Sequence, residues 1–182
     1  MRFEAEHEAR PDRPEFAWRA RVHVAPLVVL RVDDRLRAGA GSGEVRLWGL
    51  RIAADAGTPE MHSGALHRYL AESVWMPGAL RPSERLVWTS LDDTRAVATL
   101  SDGGCAVSLE FRFDHAGDVE SIFTPARWGK FQGGYREVPW EGRFRDYFEQ
   151  DGLRLPRQGE VGWYEGGELG LVWKGRVAEF RA

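Results

Sequence analysis

The chain reads as a mainly β protein with one principal helix, a curved antiparallel meander sheet forming a half-barrel around that helix. Three observations lead there. Cys105, Val107, Leu109, Phe111 and Phe113 alternate strictly with Ala106, Ser108, Glu110 and Arg112. Turn-forming clusters at 101–104 and 114–117 separate this run from similar runs at 95–100 and 118–124, the pattern of three consecutive hairpin-linked strands. Only the segment after Thr58-Pro59 spaces its apolar residues as a helix does.

Taken in order, residues 1–15, with Pro11 and Pro14, form an extended lead-in to one domain over 16–182. Phe16, Trp18, Ala20, Val22 and Val24 alternate with polar or small neighbours and predict a half-buried strand. Pro26 interrupts it, residues 27–32 continue as a second strand, 38–43 form a glycine-rich turn, and 44–53 resume the β pattern. A helix is expected near 59–74. Thr58 supplies an N-cap and Pro59 the first helical position, while Leu66, Tyr69, Leu70 and Ser73 mark one side. His67, Arg68 and Glu72 fall largely off that stripe, and Pro77-Gly78 ends the helix. Beyond the meander, aromatic residues and glycines crowd residues 128–148. A final hairpin spans 161–164 and 169–180 around the turn at 165–168. About nine or ten strands result. So many strands must twist and curl, and the one helix has to cover the inner face, which gives a cup able to enclose a cavity.

Bulk composition narrows the role only by exclusion. The 182 residues suit one domain, and 43% hydrophobic with 29% charged residues is ordinary for a globular chain. A net charge of -3 offers no electrostatic reason to expect nucleic acid as a partner. The single cysteine, Cys105, rules out an intrachain disulfide or cysteine zinc cluster and reads as a small buried filler. The amino terminus lacks a signal-peptide core, and the longest apolar stretch, 24–30, falls far short of the roughly 20 residues that span a bilayer. A cytoplasmic location without a membrane-spanning segment is the expectation for the chain as given.

Several segments together resemble a known family: Phe16 to Val22, Leu66-His-Arg-Tyr-Leu-Ala-Glu72 followed by Trp75-Met-Pro77, Pro139-Trp140-Glu-Gly142 with Tyr147, and Gly159-Glu-Val-Gly-Trp163. Their order and spacing resemble an uncharacterised bacterial family of unknown function, from about Phe3 to the end of the chain. The resemblance implies no established activity. It implies a shape similar to the lipoprotein-carrier (LolA/LolB-like) fold, a bent antiparallel sheet over helices with an apolar interior. The amino-terminal cysteine that lipid anchoring would need is not present.

The candidate chemistry is sparse. Gly39-Ala-Gly-Ser-Gly43 joins two expected strands, lacks a following Lys-Ser/Thr and reads as a turn rather than a phosphate loop. His62 and His67, five apart, do not share a helix face well enough to suggest a metal site, and nothing calls for a cofactor. Asp92-Asp93 reads as a turn, and the acidic residues 141–151 as partners of nearby arginines. The informative constellation is Arg68, Tyr69, Glu72 and Trp75 at the end of the helix. One reading makes Tyr69 and Trp75 plugs that fix the helix to the sheet. The functional reading gathers them with Arg127 and Trp140 at a cavity mouth, where aromatic rings bind an apolar body and arginine holds an anionic head.

The leading expectation is therefore a binding protein for a hydrophobic or lipid-like small molecule. One alternative is a small-molecule enzyme using Glu72 as acid/base with Arg68 or Arg127 holding an anion. Another is a structural or interaction module, which predicts an exposed apolar patch.

Overall fold

In the computed structural model, which describes residues 2–181, the strands divide between two antiparallel sheets with the helix between them. Strands β1 (Arg2–Arg10), β2 (Glu15–Ala25), β3 (Val28–Arg37), β4 (Ala40–Leu47) and β5 (Leu50–Ala56) make the smaller sheet. Helix α1 (Pro59–Glu72) follows. Strands β6 (Leu86–Ser90), β7 (Arg95–Asp102), β8 (Cys105–Phe113), β9 (Val119–Phe131), β10 (Gly134–Gln150), β11 (Leu153–Glu165) and β12 (Glu168–Arg176) make the larger. Each sheet is ordered as the chain is, and neither closes into a barrel. Among the described residues no helix is long and apolar enough to cross a membrane.

The expected lead-in is extended, but most of it is paired. Arg2–Arg10 forms a complete ladder with β2, placing Phe3, Ala5, His7 and Ala9 opposite Val22, Ala20, Trp18 and Phe16. The expected strand over 44–53 is in fact a hairpin, because β4 and β5 turn back on each other at Trp48-Gly49.

Helix α1 begins where its cap predicts: Thr58 Oγ1 accepts from the Met61 amide at 3.2 Å, and Pro59, which has no N–H to lose, opens the first turn. It ends at Glu72, earlier than Pro77, and the chain tightens into 3-10 turns at Ser73–Trp75 and Pro77–Leu80. Ser73 Oγ bonds back to the Tyr69 carbonyl at 2.8 Å, relieving one of the orphan carbonyls of the last turn.

Both sheets press on the helix. A Cβ at Gly41 of β4 would lie 2.6 Å from the Met61 carbonyl oxygen, and one at Gly64 would lie 3.1 Å from the Trp128 carbonyl of β9. Contact at that range needs residues without side chains. Leu66 and Leu70 meet Val107, Leu109, Phe111 and Ile122 of the larger sheet in the main core. Because α1 is covered on more than one side, His67 is buried as well, although it lies off the apolar stripe.

Beyond the helix the sheets meet at a few places. Phe3 of β1 packs on Trp173 of β12, with ring centroids 5.9 Å apart. Lys130 and Tyr135, flanking the β9–β10 turn, bond to Asp55 of β5. A register shift at Pro139, a residue that cannot donate to the ladder, lets Trp140 sit opposite both Thr124 and Trp163.

Candidate functional site

Helical spacing puts Gly64, Arg68 and Glu72 one above another on α1. Arg68 donates from Nε to Glu72 Oε1 at 2.7 Å and from Nη1 to Asp34 Oδ2 at 2.8 Å. Its guanidinium also lies over Phe16 and Trp18, at 5.0 and 4.9 Å from their ring centroids. Burial works against this cation, but Glu72 and Asp34 outweigh burial and hold its pKa above the ordinary arginine value. Burial raises the carboxyl pKa of Asp34 despite the neighbouring Arg68. The second oxygen of Glu72 lies 3.1 Å from His7 Nε2, yet it is buried and lacks a well-aligned hydrogen bond.

Arg127 reaches the same region from β9. It donates to the Gly64 carbonyl at 3.1 Å, and its guanidinium carbon lies 4.7 Å from the Trp140 ring centroid and 5.1 Å from that of Trp163. Contact with two indole faces is favourable to a cation but supplies no counter-charge. Among the described residues no carboxylate comes within 4.0 Å of it. Burial and the like charge of Arg68 lower its pKa to about 10. Arg127 Nε and the indole Nε1 of Trp140 are both buried donors without an acceptor. Such groups cost roughly 1–3 kcal/mol each when left unmatched. Next to them His67 gives its Nδ1 to the Ser63 carbonyl at 3.0 Å, and burial followed by the charge of Arg127 lowers its pKa to about 4.

The other two anticipated residues act as fasteners. Tyr69, 4% exposed, donates its hydroxyl to the Arg10 carbonyl at 2.6 Å, tying the end of β1 to the helix. Burial, with Asp12 and Asp102 nearby, pushes its pKa up to about 12. Trp75 donates Nε1 to the Pro156 carbonyl at 2.7 Å, stands edge-on to Phe144 and covers Gly159.

Of the six anticipated residues, then, Arg68, Glu72, Arg127 and Trp140 share one buried polar region, while Tyr69 and Trp75 pin α1 to β1 and β11. Asp34, His7, His67 and Trp163 complete that region and were not anticipated. Asp34 carried a signal: it alternates with Val32 and Leu36, so a carboxylate falls on the inward face of its strand.

An apolar surface adjoins this group. Past the helix, the inward face of the smaller sheet carries the cross-strand rows Ala20–Val32–Val45 and Val22–Leu30–Leu47. Ala20 is buried, the other five are half-buried, and Leu50 at the end of the second row is exposed. Two surface depressions lie elsewhere, one at Arg85 and the β7–β8 turn, the other around Arg112, Glu141 and Arg143 on the outer face of the larger sheet. None of the six anticipated residues lines either one.

A model described as a family of unknown function (DUF6544) matches residues 1–175. Comparison with curated proteins and with solved structures yields no match in either.

Proposed function

Since the chain belongs to the DUF6544 family, whose function is unknown, we propose a role from the site itself: the protein binds an amphiphilic small molecule between its two sheets. An acidic head group is held at Arg127, and the apolar body lies along Val22, Leu30, Val32 and Leu47. The observation that carries this reading is the seating of Arg127. A guanidinium lying over two neighbouring indoles, with Nε and the adjacent indole N–H both lacking acceptors, is suited to a carboxylate or phosphate supplied from outside. Asp34 and Glu72 do not fill that role, because each pairs with Arg68 and neither comes within 4.0 Å of Arg127. That engagement also speaks against Glu72 as an acid/base catalyst. The carrier-like cup implied by the family resemblance accommodates the same reading.

The test is titration of the purified protein with a fluorescent long-chain fatty acid, alongside native mass spectrometry for a retained ligand. Saturable one-to-one binding is expected, weakened about tenfold or more in Arg127→Met by loss of the charge-assisted contact. Methionine keeps the apolar stem and removes a buried charge, so the variant should melt no lower than the parent. Absence of binding by the parent protein, or equal binding by the variant, would refute the proposal.

A further inference from the structure

One end of the smaller sheet combines features that the interior site does not use. The β2–β3 turn presents Leu27, 95% exposed, and the β4–β5 turn presents Trp48 and Leu50, 75% and 72% exposed. The register places both turns at the same end of the sheet, since Val22, Leu30, Leu47 and Leu50 share one cross-strand row. Leu27 and Trp48 are also the wrong residues for their backbone. Each has a left-handed φ, 66° for Leu27 and 49° for Trp48, where a branched or bulky side chain is strained. The Trp48-Gly49 loop has positive φ at both residues, the geometry that favours Asn-Gly. A large indole stands there instead, in water.

Just behind these tips, on the face turned away from the helix, Arg21, Arg31, Arg46 and Arg51 stand directly opposite one another on four adjacent strands. Like charges in register destabilise a sheet. Arg46 is paired with Glu44, whereas among the described residues Arg21, Arg31 and Arg51 have no carboxylate partner within 4.0 Å. The row ends on β1 at Glu4, opposite Arg21 and beyond 4.0 Å of it, and the neighbouring row carries Glu6, Asp33 and Glu44, of which Asp33 and Glu44 pair with Arg35 and Arg46. Leu27 lies four residues from Arg31 along β3, about 13 Å at strand rise, and Trp48 lies two residues from Arg46, about 7 Å. Apolar tips ahead of a row of cations at that depth match the layering of a lipid leaflet, with acyl chains beneath acidic head groups.

We propose that this end of the protein docks on a membrane surface bearing acidic lipids. Leu27 and Trp48 enter the interface, and the arginine row meets the head groups. A soluble polyanion would use the arginines and leave the tips without a role, and a second copy of this chain would bring one arginine row against another.

The experiment is co-sedimentation with vesicles of phosphatidylcholine, with and without phosphatidylglycerol. It compares the full chain, the double variant Leu27→Asn/Trp48→Asn, and the double variant Arg31→Ser/Arg51→Ser. Asparagine suits a left-handed φ, so the tip variant should melt at or above the parent temperature while it loses binding about tenfold or more. Each arginine removed should weaken binding to the acidic vesicles about fivefold, and raising salt should weaken binding by the parent. Light scattering without vesicles completes the test. No binding to acidic vesicles, binding unchanged in the tip variant, or tips that serve only to hold a dimer together would each overturn the proposal. The fatty-acid site takes its head group at Arg127 of β9 and its apolar wall from the inward-facing Val22, Leu30, Val32 and Leu47, none of which these variants replace, so the two proposals fail separately.

Discussion

Acid should unfold this protein partly through His67. Burial, followed by the neighbouring Arg127, lowers its pKa from 6.5 to about 4, so the folded state keeps the ring neutral over a range where the unfolded chain binds a proton. Stability rises with pH wherever the unfolded state holds more protons. The contribution is therefore intact above about pH 6.5, is lost progressively as pH falls, and levels off below about pH 4. At 1.36 kcal/mol per pKa unit the full loss is about 3 kcal/mol. The ring belongs to a residue only 5% exposed, so solvent screens little of this. The assay is urea unfolding at several pH values between 7 and 4 for the parent and for His67→Gln. The parent should lose about 3 kcal/mol more than the variant across that range. Asp34 titrates with the opposite sign, its raised pKa favouring the fold in acid, but it is common to both proteins and cancels in the difference. Parallel pH profiles would show that His67 is not held neutral and would refute the reasoning.

Two further substitutions probe how the helix is held. Gly41→Ala would set a methyl 2.6 Å from the backbone oxygen of Met61, an atom that cannot swing aside, so a loss of about 1–3 kcal/mol should appear in chemical denaturation. Tyr69→Phe leaves the Arg10 carbonyl without its donor, and a loss of about 1 kcal/mol should come with faster amide exchange in β1, measured by hydrogen–deuterium exchange.

Much of the larger sheet was legible because its strands have one covered face. The alternation from Cys105 to Phe113 predicts β8 at its observed bounds, and Thr58-Pro59 predicts the start of α1. The smaller sheet was harder for a physical reason. Strand β1 is an edge strand with few large apolar residues, so Phe3, Ala5 and Ala9 give too weak an alternation to separate it from an extended tail. The β4–β5 turn went unread because Trp48, with its left-handed φ, is not a turn-forming residue. Residues 128–148 showed their aromatics but not the long β9–β10 hairpin, since proline at the bulge and interspersed glycines blur the period of two. At the site, Arg68 and Glu72 could be grouped from helical spacing alone. That Asp34 joins them depends on pairing between segments far apart in the chain; its alternation with Val32 and Leu36 marks only the inward face.

No strand passes from one sheet to the other. No ladder hydrogen bond therefore has to break for the two sheets to part. What resists is the packing of both sheets on α1, with the Arg68–Asp34 pair, and a set of clasps: Phe3 on Trp173, Asp55 with Lys130 and Tyr135, and the Tyr69 hydroxyl on β1. A guest too large for the resting interior would have to undo these clasps and part of the packing of one sheet on α1.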